Sequence, residues 1–165
     1  MSKAIAQLNQ MSQEEFVSVL GTLFEHTPEI AQQAWNYRPF KDAIALYQKM
    51  IDVVEMMSKD EQIALIRAHP DLGSQAKMAE ASVQEQVGLG LNKLDSQEYE
   101  RFQLLNQAYK DKFGFPFIIA VKNQTKVSVL EAFERRLPNN IETEIASAIA
   151  EIEQIAWFRL LNLVE

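Results

Sequence analysis

The sequence predicts an all-α protein: a single domain over residues 1–165, packed as a bundle of about eight helices with irregular crossings. Three observations lead there. Five glycines and five prolines in 165 residues are too few for a turn-rich all-β chain or a flexible linker. Apolar residues, 47% of the chain, recur at helical spacing behind recognisable capping sequences. A chain of this length can also bury one hydrophobic core without disulfides or a metal.

The elements follow in order. Ser12-Gln13-Glu14-Glu15 is a capping box, and Phe16, Leu20, Leu23 and Phe24 continue it as one amphipathic helix from about Ser12 to Glu25. Thr27-Pro28 reads as an N-cap followed by a proline at the first helical position, opening a short helix through Ala34 that stops before Arg38-Pro39. Ile44, Leu46, Tyr47, Met50, Ile51, Val54 and Met57 repeat near a helical period from Asp42 to about Met57. Ser58-Lys59-Asp60-Glu61 caps the next helix, which must end near His69 because the residue before Pro70 is pushed away from helical angles. A loop is expected from His69 to about Ala81. Ser82-Val83-Gln84-Glu85 opens another capped segment. Asp95 or Ser96 starts a long helix with Phe102, Leu105, Ala108 and Tyr109 on one side and Gly114 as its stop. Phe115 to Val121 is apolar throughout but has no partner strand, so it reads as an extended buried segment. Helices over roughly residues 126–137 and 141–163 complete the chain.

Composition excludes several function classes. Sixteen basic against 23 acidic side chains give a formal charge of −7, which disfavours nucleic-acid binding for want of a cationic footprint. With no cysteine, disulfide scaffolds, Cys-ligated metal sites and thiol nucleophiles are ruled out. His26 and His69 are the only histidines, so no His-rich metal site is expected. No apolar run approaches the ~20 residues of a membrane span, and residues 1–10 lack the apolar core of a signal peptide. A soluble, cytoplasmic protein is expected.

Among residues able to carry chemistry, His69 stands out because it is titratable near neutral pH and fixed at a forced helix end by Pro70. The plainer use of such a histidine is to cap the last carbonyls of its helix. His26 has no comparable constraint and reads as structural. Ser82-x-x-Glu85-Gln86 is either a capping box alone or a helix N-terminus whose unpaired N–H groups hold an anionic or carbonyl-rich ligand. Arg159 is the one cation among residues 139–165, in a helix apolar nearly all round; it is either a favourable charge near a helix C-terminus or a buried arginine that needs a carboxylate from protein or ligand. Gly88-x-Gly90 lacks the context of a dinucleotide fingerprint and reads as a helix-end turn. The six methionines read as core filler, and no Walker loop, zincin motif or nucleophile elbow is present.

Taken in order, Arg38-Pro39-Phe40, Ala68-His69-Pro70-Asp71-Leu72, Ser82-x-x-Glu85-Gln86, the run from Leu104-Leu105-Asn106 through Tyr109 and Lys112-Phe113-Gly114-Phe115-Pro116-Phe117, and Arg159-Leu160 form a specific set. From about Leu8 to Val164 the chain resembles the OHCU decarboxylase family, which acts on 2-oxo-4-hydroxy-4-carboxy-5-ureidoimidazoline in urate degradation. The resemblance implies an all-α homodimer and cofactor-free decarboxylation to (S)-allantoin. It places His69 on the family's catalytic histidine, with Glu85 beside it in the catalytic role. Pro70, Ser82, Glu85 and Gln86 fall on substrate-binding positions, and Phe117, Ile118, Ile119, Ala120 and Val121 on the stretch whose main chain lines the pocket. Arg159 falls on the substrate-binding arginine of the C-terminal helix. The His69 to Ser82 spacing is shorter than in many members, and Leu89 stands where alanine is common. A non-catalytic helical interaction module would tolerate loss of His69 or Glu85 and expose a large apolar groove. A hydrolase of another ureido compound would share the amide-recognising pocket and differ in its product.

Overall fold

The computed structural model describes residues 2–73 and 80–165, apart from the side chains of residues 80–82. Among the described residues it is all-α, with nine α-helices and one short 3-10 turn. Their only β-type pairing is an isolated bridge between Lys3 and Val164. The chain divides into two compact units, Met1–Leu65 with Glu153–Glu165, and Ile66–Ile152.

The first unit contains α1 (Ile5–Gln10), α2 (Gln13–Leu20), α3 (Glu29–Ala34) running into a 3-10 turn at Trp35–Tyr37, α4 (Ala43–Glu55), most of α5 (Lys59–Arg67) and the end of α9 (Ile141–Leu163). Helix α1 had no capping signature of the usual kind. The Ala4 N–H is taken by the Gln7 side chain at 3.0 Å, and Leu8 is fully buried. The Ser12–Glu15 capping box of α2 forms in both directions, at 3.2 and 2.9 Å. This helix stops at Leu20 instead of reaching Glu25. Gly21 caps it and His26 turns the chain at a φ of 49°, so Leu23 and Phe24 reach the core from a turn. Thr27 does not cap α3 as expected, because its hydroxyl donates to the Glu25 carbonyl at 2.8 Å. Helix α3 packs against α2 and α4. Arg38, from the Arg-Pro-Phe motif, donates to the carbonyls of Asn9, Met11 and Trp35 and lies 3.8 Å over the Trp35 ring, a latch for this corner.

Asp42 caps α4 by accepting from Ala45 N–H at 2.8 Å, and Leu46, Met50, Val53 and Val54 form its buried stripe. Ser58 and Glu61 cap α5 reciprocally; the hydrogen bonds from the Ser58 backbone and hydroxyl hold the Glu61 carboxyl below its usual range. One polar contact here is unusual. Glu153 on α9 meets Glu55 at the end of α4, and its Oε1 is buried with no donor facing it among the described residues. Burial first, and then the hydrogen bond and charge of Glu55, raise the Glu153 carboxyl to about 8, so Glu153 keeps its proton near neutral pH.

The second unit contains α6 (Glu80–Leu89), α7 (Ser96–Phe113), α8 (Lys126–Arg136) and the first half of α9. The loop expected from His69 to about Ala81 lies partly outside the described residues, and α6 already runs at Glu80. Ser82 therefore stands inside the helix and is not its N-cap. The cap of α7 is Asp95, in a box with Glu98, and Gly114 ends it at a left-handed φ of 78°. Its buried stripe is Phe102, Asn106, Tyr109 and Phe113. Ala108, expected inside, is exposed, and Leu105 is only half-buried; a polar asparagine takes the inward register instead. Helix α8 packs on α7. Phe117 stacks on Phe133 of α8 at 3.8 Å between ring centroids and meets the Tyr109 ring edge-on at 5.2 Å.

Two measurements check this description. A Cβ at Gly114 would sit 3.6 Å from the Arg67 guanidinium, an ordinary contact, so Gly114→Ala should cost about 1 kcal/mol in urea unfolding purely through its left-handed backbone. Glu153 binds a proton in the folded chain that the unfolded chain releases, so its contribution to stability is complete below about pH 4.5 and is lost as pH rises towards 8. Melting temperatures between pH 5 and 8.5 should fall more in the wild-type protein than in Glu153→Gln.

Candidate functional site

The predicted residues fall in both units. His69, Pro70, Glu85, Gln86 and the segment from Phe117 to Val121 belong to the second, and Arg159 to the first.

His69 follows the last turn of α5, its N–H donating to the Ile66 carbonyl at 3.1 Å, and only 8% of its surface is exposed. Pro70 stops the helix there, as the sequence demanded. The chain beyond it is tied down by side chains from two helices. Asn106 of α7 donates to the Leu72 carbonyl at 2.8 Å, and Gln86 of α6 accepts from the Gly73 N–H at 3.0 Å. Lys110 pairs with Asp71 at 3.1 Å on the outer side. Gln86 is buried, Glu85 half-buried, and both sit in the second turn of α6 instead of at its first N–H groups. The side chain of Ser82 is outside the described residues. Gly90, at a φ of 85°, closes α6 as the expected helix-end turn.

Phe115 to Ala120 is buried and forms neither helix nor strand; Val121 is half-buried. Two of its main-chain groups are held by side chains. Arg136 donates to the Ile118 carbonyl at 2.6 Å, and the Ala120 N–H donates to Glu151 at 3.2 Å. Among the described residues the main-chain groups of Phe117 and Ile119 have no hydrogen-bond partner. Buried amides are nearly always paired, and a main-chain amide and carbonyl can each bond a donor- and acceptor-rich group.

Arg159 is buried, and the carboxylate it requires is supplied by the protein. Its Nη2 donates to Glu25 at 3.2 Å and its Nη1 to the Thr22 and Leu23 carbonyls at 3.3 Å. Glu25 is itself buried, with His26 Nε2 at 3.9 Å from its other oxygen. Sequence reasoning overlooked Glu25, Asn106 and Arg136. The available signal was a polar residue standing at an inward helical position, as Asn106 does between Phe102 and Tyr109. Among the described residues no group of three or more His, Asp or Glu side chains is placed to hold a metal ion.

Residues 9–161 match the family model described as OHCU decarboxylase. The chain is 44% identical over 159 residues to a uric acid degradation bifunctional protein from Bacillus sp. (strain TB-90), covering 96% of this chain but 32% of that protein, so it spans about a third of that relative's length. It is 40% identical to a 2-oxo-4-hydroxy-4-carboxy-5-ureidoimidazoline decarboxylase from Halalkalicoccus jeotgali, with 96% of this chain and 90% of the relative covered. Among solved structures, an (S)-allantoin synthase superposes with a TM-score of 0.81 at 32% identity, covering 98% of this chain and 54% of that one. An OHCU decarboxylase crystallised in the presence of (S)-allantoin shares the fold, with a TM-score of 0.71 at 22% identity over 92% of this chain and 97% of that one. With the family model spanning nearly the whole sequence and a relative of matching length at 40% identity, the chain belongs to the OHCU decarboxylase family.

Proposed function

We propose that the chain is a carboxy-lyase that decarboxylates 2-oxo-4-hydroxy-4-carboxy-5-ureidoimidazoline to (S)-allantoin in urate degradation, without a cofactor. The observation that carries this reading is His69, a histidine buried at the forced end of α5 in a chain of this family. The names of its relatives support the substrate.

The chemistry suits these residues. Decarboxylation breaks the bond between a ring carbon and its carboxylate, and the electron pair left behind needs an acceptor; many decarboxylases supply a cofactor for this. The proposed substrate carries a ring C=N beside the carboxylated carbon. The pair forms a C=C bond to the neighbouring ring carbon while the C=N electrons move onto nitrogen, which takes up one proton; the resulting enol then gains a proton on that carbon and loses one from its hydroxyl. His69 serves as the acid–base group for these transfers, with Glu85 beside it in the catalytic role. Glu85, Gln86, Ser82 and the main chain from Phe117 through Ile118, Ile119 and Ala120 to Val121 bond the ureido and ring amides, while Pro70 packs against the substrate. Arg159 is assigned to a substrate carbonyl or carboxylate through its planar fork. Apolar packing by Phe117 and Ile119 disfavours the charged carboxylate relative to neutral CO₂. By the same resemblance the protein works as a single OHCU decarboxylase-like domain over residues 1–165 and as a cytoplasmic homodimer. Light scattering of the purified protein tests the dimer.

Freshly generated substrate should be converted to (S)-allantoin, followed by circular dichroism, and His69→Asn should slow conversion by about 100-fold or more. Only slow racemic background from the wild-type protein would overturn the reading. (S)-Allantoin should raise the melting temperature of the wild type and do so less for Arg159→Lys, which keeps a positive charge for Glu25 and so separates ligand binding from loss of the buried pair.

A further inference from the structure

Glu144 is a fully buried carboxylate of the second unit, with 0% of its side chain exposed. It is saturated with donors: Tyr109 Oη at 2.5 Å and Arg136 Nε at 2.8 Å on one oxygen, and Asn139 Nδ2 at 3.0 Å on the other. Burial first, and the bond to Glu144 second, hold the Tyr109 phenol well above its usual range, so it remains a neutral donor. Arg136 is nearly buried too. Its other arm reaches past Glu144 to the Ile118 carbonyl at 2.6 Å, and its guanidinium carbon lies 4.4 Å over the Phe117 ring. One arm is therefore anchored and the other grips the segment. A carboxylate–guanidinium pair adds little stability over apolar side chains of the same volume, so its presence in an aromatic core calls for another reason.

Ile118 and Ala120, both held by side chains, are two residues apart, the spacing at which an extended chain turns its main-chain groups to the same edge. Phe117 and Ile119 alternate with them, and among the described residues neither their amides nor their carbonyls have a partner, while Ile118 and Ala120 are each held through one group, a carbonyl and an amide. We propose that Arg136, oriented by Glu144 and Tyr109, is a positioning residue that fixes the Phe117–Val121 backbone, with Glu151 as the second anchor at Ala120, so that the amides and carbonyls of Phe117 and Ile119 are left to the ligand. This rests on the decarboxylase reading only in naming that ligand; the grip on the backbone is a separate, testable property.

Arg136→Lys keeps the charge opposite Glu144 but cannot hold both the carboxylate and the Ile118 carbonyl. Glu151→Ala removes the other anchor without touching the buried pair. Each variant should raise KM for the proposed substrate about 10-fold with kcat within about twofold, because positioned amides bind substrate and do not move its protons. Amide hydrogen exchange at residues 117–121 should accelerate in both variants while exchange in α4 is unchanged. Unaltered KM in variants that keep the wild-type melting temperature, or exchange that rises equally throughout the chain, would overturn the proposal. Should the wild-type protein turn over no substrate, the decarboxylase reading fails, while the exchange measurement still decides whether Arg136 and Glu151 hold the segment.

Discussion

A buried stretch of backbone with no partner strand must have its amides and carbonyls satisfied one at a time, and much of the second unit answers to that constraint. The segment from Phe115 to Ala120 lies among the rings of Tyr109, Phe113 and Phe133. Those rings supply apolar contact but no hydrogen bonds of amide strength. Charged side chains have to enter the core to reach the peptide groups, and a charge can enter only with a partner. Glu144 is there for Arg136, and Tyr109 and Asn139 are there for Glu144. A chain of bonds thus runs from one carbonyl at Ile118 to helices α7, α8 and α9.

The same logic governs the first unit, where Arg159 and Glu25 are both buried and three main-chain and side-chain acceptors surround the guanidinium. Arg159 and the nearly buried Arg136 are thereby each paired with a carboxylate of the protein. The Glu55–Glu153 contact differs in kind: the proton that Glu153 keeps stands where the other pairs have a cation.

Local signals made most of the fold legible. The caps at Ser12 and Ser58, the helix starts near Asp42 and Asp95, the stop at Gly114 and the break at Pro70 each depend on a few adjacent residues, and each forms as read. What escaped depended on tertiary neighbours. Leu23 and Phe24 continue a helical pattern in sequence, yet they reach the core from a turn after Gly21. Asn106 displaces the expected apolar face of α7 because the Leu72 carbonyl needs a donor, a demand set 34 positions away. Ser82 fits a cap motif that its own helix has already passed. At the site, the position of His69 followed from Pro70 alone, and the need of Arg159 for an anion followed from its apolar surroundings. That Glu25 supplies it was invisible without the fold.

The bond between Gln86 and Gly73 carries a consequence for recognition. A glutamine amide has one accepting end and one donating end, and here the oxygen is committed to the Gly73 N–H. Rotating the amide by half a turn would set two donors against each other in a buried place. The group is thus polarised like a one-way plug: whatever meets its free NH₂ must offer an oxygen or an unprotonated nitrogen. A second N–H brought to that spot would set donor against donor, whatever its size or overall charge.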